Sequence, residues 1–147
     1  MVKKMLVVFF VIFLIACGDN GRNLVCRDDV EMFMSEYFQK LKQNDRSSLI
    51  AFYSEETLEN VGKERFKELM YSIHSTFGLL ISYELQTVTI RTLSSTRGFT
   101  GRHFTLIFNN QYENGSVVEA IDIFVPRGES TIKIQNHNFT SDVLLGL

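Results

Sequence analysis

Two places in the 147-residue chain hold residues whose type and setting suggest chemistry. The first is Cys17, a thiol that ends an uncharged run from Met5 to Ala16. The second is a pair of strands flanking Asn114-Gly115. A two-residue turn at Asn-Gly would set Tyr112 opposite Val117, Asn110 opposite Glu119, Phe108 opposite Ile121, Leu106 opposite Ile123 and Phe104 opposite Val125. All ten then share one face, apolar except for Asn110 and Glu119. A carboxylate facing a core needs a partner or a raised pKa, so a pocket drawing on Glu119, Asn110 and Tyr112 is one expectation. The preferred expectation is that Asn110 and Glu119 sit near the hairpin tip, beyond the helical cover, and are hydrated. His74, His103 and His137 are far apart in sequence and lack the one-turn spacing of metal ligands. No phosphate-binding glycine loop, nucleophile elbow or activated cysteine appears. No enzyme motif, metal site or cofactor is therefore expected.

The elements that position Cys17 come first. Lys3 and Lys4 precede the apolar run. As a helix, Met5 to Ala16 would span about 18 Å, short of the ~30 Å hydrocarbon core. Positive segment, apolar segment and small residue are the layout of a secretory signal peptide. The four residues Leu14-Ile15-Ala16-Cys17 resemble the lipobox of bacterial lipoproteins. That resemblance implies removal of residues 1–16, a diacylglyceryl group on the Cys17 thiol, and a membrane partner held through that lipid. Two or three acyl chains anchor a protein stably, at ~0.8 kcal/mol per buried CH₂. Gly18 rather than Asp after the cysteine points, by analogy with enteric sorting, to the outer membrane facing the periplasm of a Gram-negative host. Residues 17–26 then form the lipidated tether and 27–147 the folded domain. Cys26 is left without Cys17 as a disulfide partner, either buried against the first helix or reactive.

A 16-residue leader leaves 131 residues, enough for one domain with a real core. Without Lys3 and Lys4 the side-chain charge is −4, from 13 basic and 17 acidic residues. With no basic surplus there is no electrostatic case for nucleic acid.

The spacing of Val30, Phe33, Met34, Tyr37, Phe38 and Leu41 predicts a helix over 28–44, with Asp28 and Glu31 as a capping box. A shorter helix is expected over Arg46 to Tyr53 and a further turn from Ser54. Phe66, Leu69, Met70, Ile73 and Phe77 predict a helix over 63–77 that ends at Gly78. From there the period changes to two. Strands are expected over 79–90, 102–112, 116–125 and 131–139. Helices followed by an antiparallel meander give an α+β fold, the helices packed on one face of a curved four-stranded sheet.

This pattern resembles the nuclear transport factor 2-like, or cystatin-like, cone, and more closely small secreted bacterial domains of unknown function within it. The resemblance rests on Gly78-Leu79-Leu80-Ile81-Ser82-Tyr83, the hairpin Tyr112 to Val118, Glu119-Ala120-Ile121-Asp122-Ile123 and Lys133-Ile134, over about residues 27–140. One departure is Ile132, where such domains often carry tryptophan. The resemblance implies a homodimer formed through the sheet, and an acid in the cone mouth in those members that are isomerases. The chain is accordingly expected to be a binding or structural module of the cell envelope. Its partner would be an envelope protein or a small ligand. The alternative is an apolar-ligand or isomerase-like pocket using Glu119.

Overall fold

The structure is a computed structural model describing residues 25–94 and 100–141. The expected leader, Leu14-Ile15-Ala16-Cys17 and most of the expected tether lie outside the described residues. Among those described, no helix is long and apolar enough to cross a membrane.

Helix α1 spans Arg27–Lys42 and buries Val30, Met34, Tyr37, Phe38 and Leu41, the stripe that its 3.6-residue spacing demands. It starts one residue before Asp28. The cap is Cys26, whose backbone N–H donates to Asp29 Oδ2 at 2.7 Å, in place of the expected Asp28–Glu31 pair. Cys26 is half-buried and its thiol is free. The region after Asp45 is a single α-turn, α2 (Arg46–Leu49), continued as a 3₁₀ turn over Ile50–Phe52. Ser54 then caps α3 (Glu55–Val61) through the Thr57 N–H. Helix α4 (Lys63–Phe77) buries Phe66, Met70, Ile73, His74 and Phe77. Leu69, expected on that face, is 50% exposed.

The four strands β1 (Leu80–Leu93), β2 (Gly101–Tyr112), β3 (Gly115–Pro126) and β4 (Ile134–Thr140) form one antiparallel sheet in sequence order. Four helices cover one face of it, the arrangement that the sequence pattern predicts. Bulges between Leu80 and Ser82 and between Leu85 and Thr87 bend β1 and reset its alternation. Leu80 therefore points inward while Ile81 is 56% exposed, and the strict alternation expected from Leu79 breaks. β1 runs three residues past the expected end at Ile90. β4 starts three residues later than expected, and just before it the Lys133 ammonium donates to the Ala51 carbonyl.

The β2–β3 turn is set from outside the hairpin. Tyr112 pairs with Gly115, so the loop is Glu113-Asn114 rather than Asn114-Gly115. The Asn114 N–H donates to Phe77 O at 3.0 Å and its side-chain amide to Thr76 O at 3.0 Å. The Glu113 N–H donates to Leu79 O at 3.0 Å, and its carboxylate accepts from the Leu79 N–H at 2.9 Å. Four hydrogen bonds thus dock the turn on the end of α4, and they outweigh the intrinsic preference of Asn-Gly. The docking requires Gly78. Its φ is +79°, and a Cβ there would lie 2.6 Å from the Glu113 carboxylate. Gly78→Ala should cost about 1–3 kcal/mol in urea unfolding, from the positive φ and the clash. Glu113→Ala by itself should also destabilise, since the Leu79 N–H loses its carboxylate acceptor, and the double variant should cost less than the sum of the two because the carboxylate clash is gone. Additivity, or no loss in the Gly78→Ala variant, would contradict this account.

Candidate functional site

The observed register differs by two residues from that predicted for the hairpin. Asn110 faces Val117, Phe108 faces Glu119, Leu106 faces Ile121 and Phe104 faces Ile123. A shift of two leaves every side chain on its face. Tyr112, Asn110, Val117 and Glu119 therefore all point under the helices, but Asn110 and Glu119 are not direct partners. The preferred expectation that Asn110 and Glu119 are hydrated is overturned, since both have no exposed surface. Docking of the turn on α4 carries the helical cover to the hairpin tip, where His74 and Phe77 pack beside the Tyr112 ring.

Glu119 is therefore an acid inside the core, and its partners come from both neighbouring strands. The Tyr112 hydroxyl on β2 donates to Glu119 Oε1 at 2.6 Å. His137 Nε2 on β4 bonds Glu119 Oε2 at 2.8 Å, with side chains 4% and 0% exposed. Glu119 itself pairs with Phe139, so His137 reaches it diagonally across the β3–β4 pair. The other ring nitrogen, Nδ1, bonds the Tyr53 hydroxyl at 2.7 Å, and that hydroxyl meets the buried Tyr37 hydroxyl at 3.2 Å. A continuous chain runs Tyr112–Glu119–His137–Tyr53–Tyr37, from the middle of the sheet to α1. The His137 ring also stacks on Phe139 at 4.1 Å between centroids.

Burial by itself would raise the Glu119 pKa. The hydrogen bond and charge of His137, and then the Tyr112 hydrogen bond, more than offset it and hold the carboxyl below its ordinary value. Burial pushes the hydroxyls of Tyr112, Tyr53 and Tyr37 up, and the Glu119 charge adds to each. Burial lowers His74 to about 4, against the attraction of Glu119. His74 Nε2 and both polar atoms of the Asn110 amide are buried without a hydrogen-bond partner among the described residues.

His103 and His137, which the sequence leaves undistinguished, separate here. His137 is inside. His103 lies on the outer face, 3.6 Å from Asp122, which also accepts from Thr105 at 2.7 Å and Asn136 at 3.2 Å. No cluster of three or more His, Cys, Asp or Glu able to hold a metal occurs among the described residues. A groove of about 450 Å³ lies over the β4 edge, with Tyr53 and His137 in its floor and Val61, Phe66, Leu69, Asn60, Gln135 and Asn136 among its walls. Chemically, the network can hold a charge and fix side chains. All its polar ends are engaged by other protein groups, except the Asn110 amide beside it.

No family model matches the chain, and no curated protein matches it. Among solved structures it is similar to one assigned as a scytalone dehydratase from Novosphingobium aromaticivorans DSM 12444. The identity is 16%, over 75% of this chain and 79% of that one, at a TM-score of 0.45. A likeness of that size carries no argument about activity.

Two outcomes follow from the buried groups. Removing one member of a buried pair strands the other, so Glu119→Leu or His137→Phe should each cost about 3–5 kcal/mol in urea unfolding. The double variant should cost clearly less than the sum, and additivity would show that the two groups do not interact. His74 should make stability fall with acid. Its folded pKa of about 4 lies below the unfolded value of 6.5. The unfolded chain therefore binds the extra proton between these values, and stability is full above pH 6.5 and lost towards pH 4. Glu119, also lowered, adds to the loss as pH falls further. His74→Leu should remove about 3 kcal/mol of the change between pH 6.5 and 4, by the shift of its pKa. Melting curves that superimpose with the wild-type pH profile would refute this.

Proposed function

We propose that the chain is a lipid-anchored protein of a bacterial envelope whose domain binds a small molecule without transforming it. What supports the anchor is the leader: Lys3, Lys4, the run from Met5 and Cys17 after Leu14-Ile15-Ala16. Lipid on Cys17 would hold the protein to the membrane, the outer one on its periplasmic side in a Gram-negative host. Val25, where the described chain begins, is buried, and its carbonyl accepts from Arg102 Nη1 at 3.0 Å. Eight residues separate it from Cys17, at most about 28 Å of extended chain. The domain would therefore sit close to the bilayer, with the start of β2 towards it and the β2–β3 hairpin pointing away.

The groove over the β4 edge carries the binding half of the proposal. Val61 and Leu69 in its wall are 39% and 50% exposed and give it apolar surface suited to an apolar ligand body. Asn60, Gln135 and Asn136 offer hydrogen bonds at its rim. Glu119 favours binding over acid–base chemistry. It has no exposed surface, so a substrate cannot reach either oxygen, and Tyr112 and His137 hold both in place.

Native mass spectrometry of protein extracted from its own membrane tests both halves. The expected mass is that of residues 17–147 plus acyl groups, with a further non-covalent adduct that Leu69→Glu loses. An unmodified Cys17 or a retained leader would sink the anchor. An adduct-free spectrum, or one that Leu69→Glu leaves unchanged, would sink the groove.

A further inference from the structure

The two edges of the sheet are treated differently. β4 is covered at its start: Ile134 bridges to Tyr53, the Ser54 N–H donates to Ile134 O at 2.9 Å, and the Thr57 hydroxyl donates to Gln135 O at 2.8 Å. β1 has no such cover among the described residues. It is fourteen residues long and contains neither lysine nor proline, two residues that commonly blunt an exposed edge. Beyond Val88 every residue of the strand is exposed. Ile90 is on the helix-facing side, opposite Phe104, yet is 44% exposed.

The strand is complementary to itself. Its only charges are Glu84 and Arg91, both on the outer face opposite Asn109 and His103. Seven residues separate them, roughly 20 Å of strand, so they cannot meet within one chain. Turn a second β1 antiparallel about Val88 and they meet twice. Val88 then faces its own copy, Thr87 faces Thr89, Leu85 faces Ile90 and Glu84 faces Arg91. The bulge at Gln86 is what makes this work. It takes up one residue on each side of the centre, so that inward residues meet inward ones throughout. The uncovered Ile90 is filled by Leu85 of the other copy.

We propose that β1 pairs with β1 of a second copy of this chain, joining two four-stranded sheets edge to edge. The contact is an edge, with both helical layers on the same side. Directly opposed Cβ atoms lie ~4.5–5.5 Å apart, close to disulfide reach. The test uses the full-length chain in intact membranes with Cys26→Ser; the proposed lipid occupies the Cys17 thiol, and a dimer from this parent chain before any cysteine is added would count against the anchor and not against the pairing. Val88→Cys should give a dimer of twice the chain mass on mild oxidation, and Gln111→Cys, on the outer face of β2, should not. Glu84→Arg added to Val88→Cys should lower the dimer about tenfold, the scale of two cross-strand charge pairs made repulsive. Arg91→Glu in the same chain should restore it, which also shows that the variant folds. No dimer from the Val88→Cys chain, an equally strong dimer from the Gln111→Cys chain, indifference to Glu84→Arg, failure of the rescue, or cross-linking to a different protein would each overturn the proposal.

Discussion

A charged carboxylate under a layer of helices is the constraint around which this domain is organised. Taking an ion of that size out of water costs several kcal/mol even after relaxation, and the cost is tolerable only if its oxygens are bonded. Glu119 meets that condition by drawing on separate parts of the chain: Tyr112 from β2 and His137 from β4, the latter backed by Tyr53 before α3 and Tyr37 in α1. The polar chain therefore crosses from sheet to helices and ties the two layers together. It also constrains register. A slip of β4 by one residue would turn His137 to the outer face and leave the carboxylate half-paired.

The same network separates the inside of the domain from the surfaces available for binding. His137 and Tyr53 form the floor of the groove, but their polar atoms face the core and are engaged there. What the surface offers is apolar wall, a rim of amides with Glu56, His103 and Asp122, and strand edge. His74 Nε2 and the Asn110 amide stay buried without a well-formed hydrogen bond among the described residues, although the amide lies near enough to Glu119 to help hold its carboxyl down. Unbonded polar groups in a core are costly, and they mark where this interior is least well satisfied.

Much of the fold was legible. The stripes of α1 and α4 follow from a 3.6-residue period, and Gly78 marked the change to a period of two. The inward set of β2 and β3 was read correctly although the turn was misplaced, because an error of two residues does not change faces. Other features were hidden. Bulges in β1 and in β4, at Gln135, reset the alternation, so Ile81 points out and His137 points in. A one-residue irregularity has no local signal when the flanking residues are all good strand formers. Burial of Glu119 and Asn110 was missed for a related reason. The helical cover reaches them only because Asn114 and Glu113 bond to the end of α4, 34 to 38 residues earlier.

By itself the sequence determined the order of elements and the inward faces of α1, β2 and β3, because periodicity and length are local properties of the chain. Only the tertiary structure decided which inward-facing polar residues meet. The pairing of Glu119 with His137 depends on a bulge, a docked turn and the packing of helices over the hairpin. Each is set by contacts between residues far apart along the chain, where the spacing of one strand carries no information about the next.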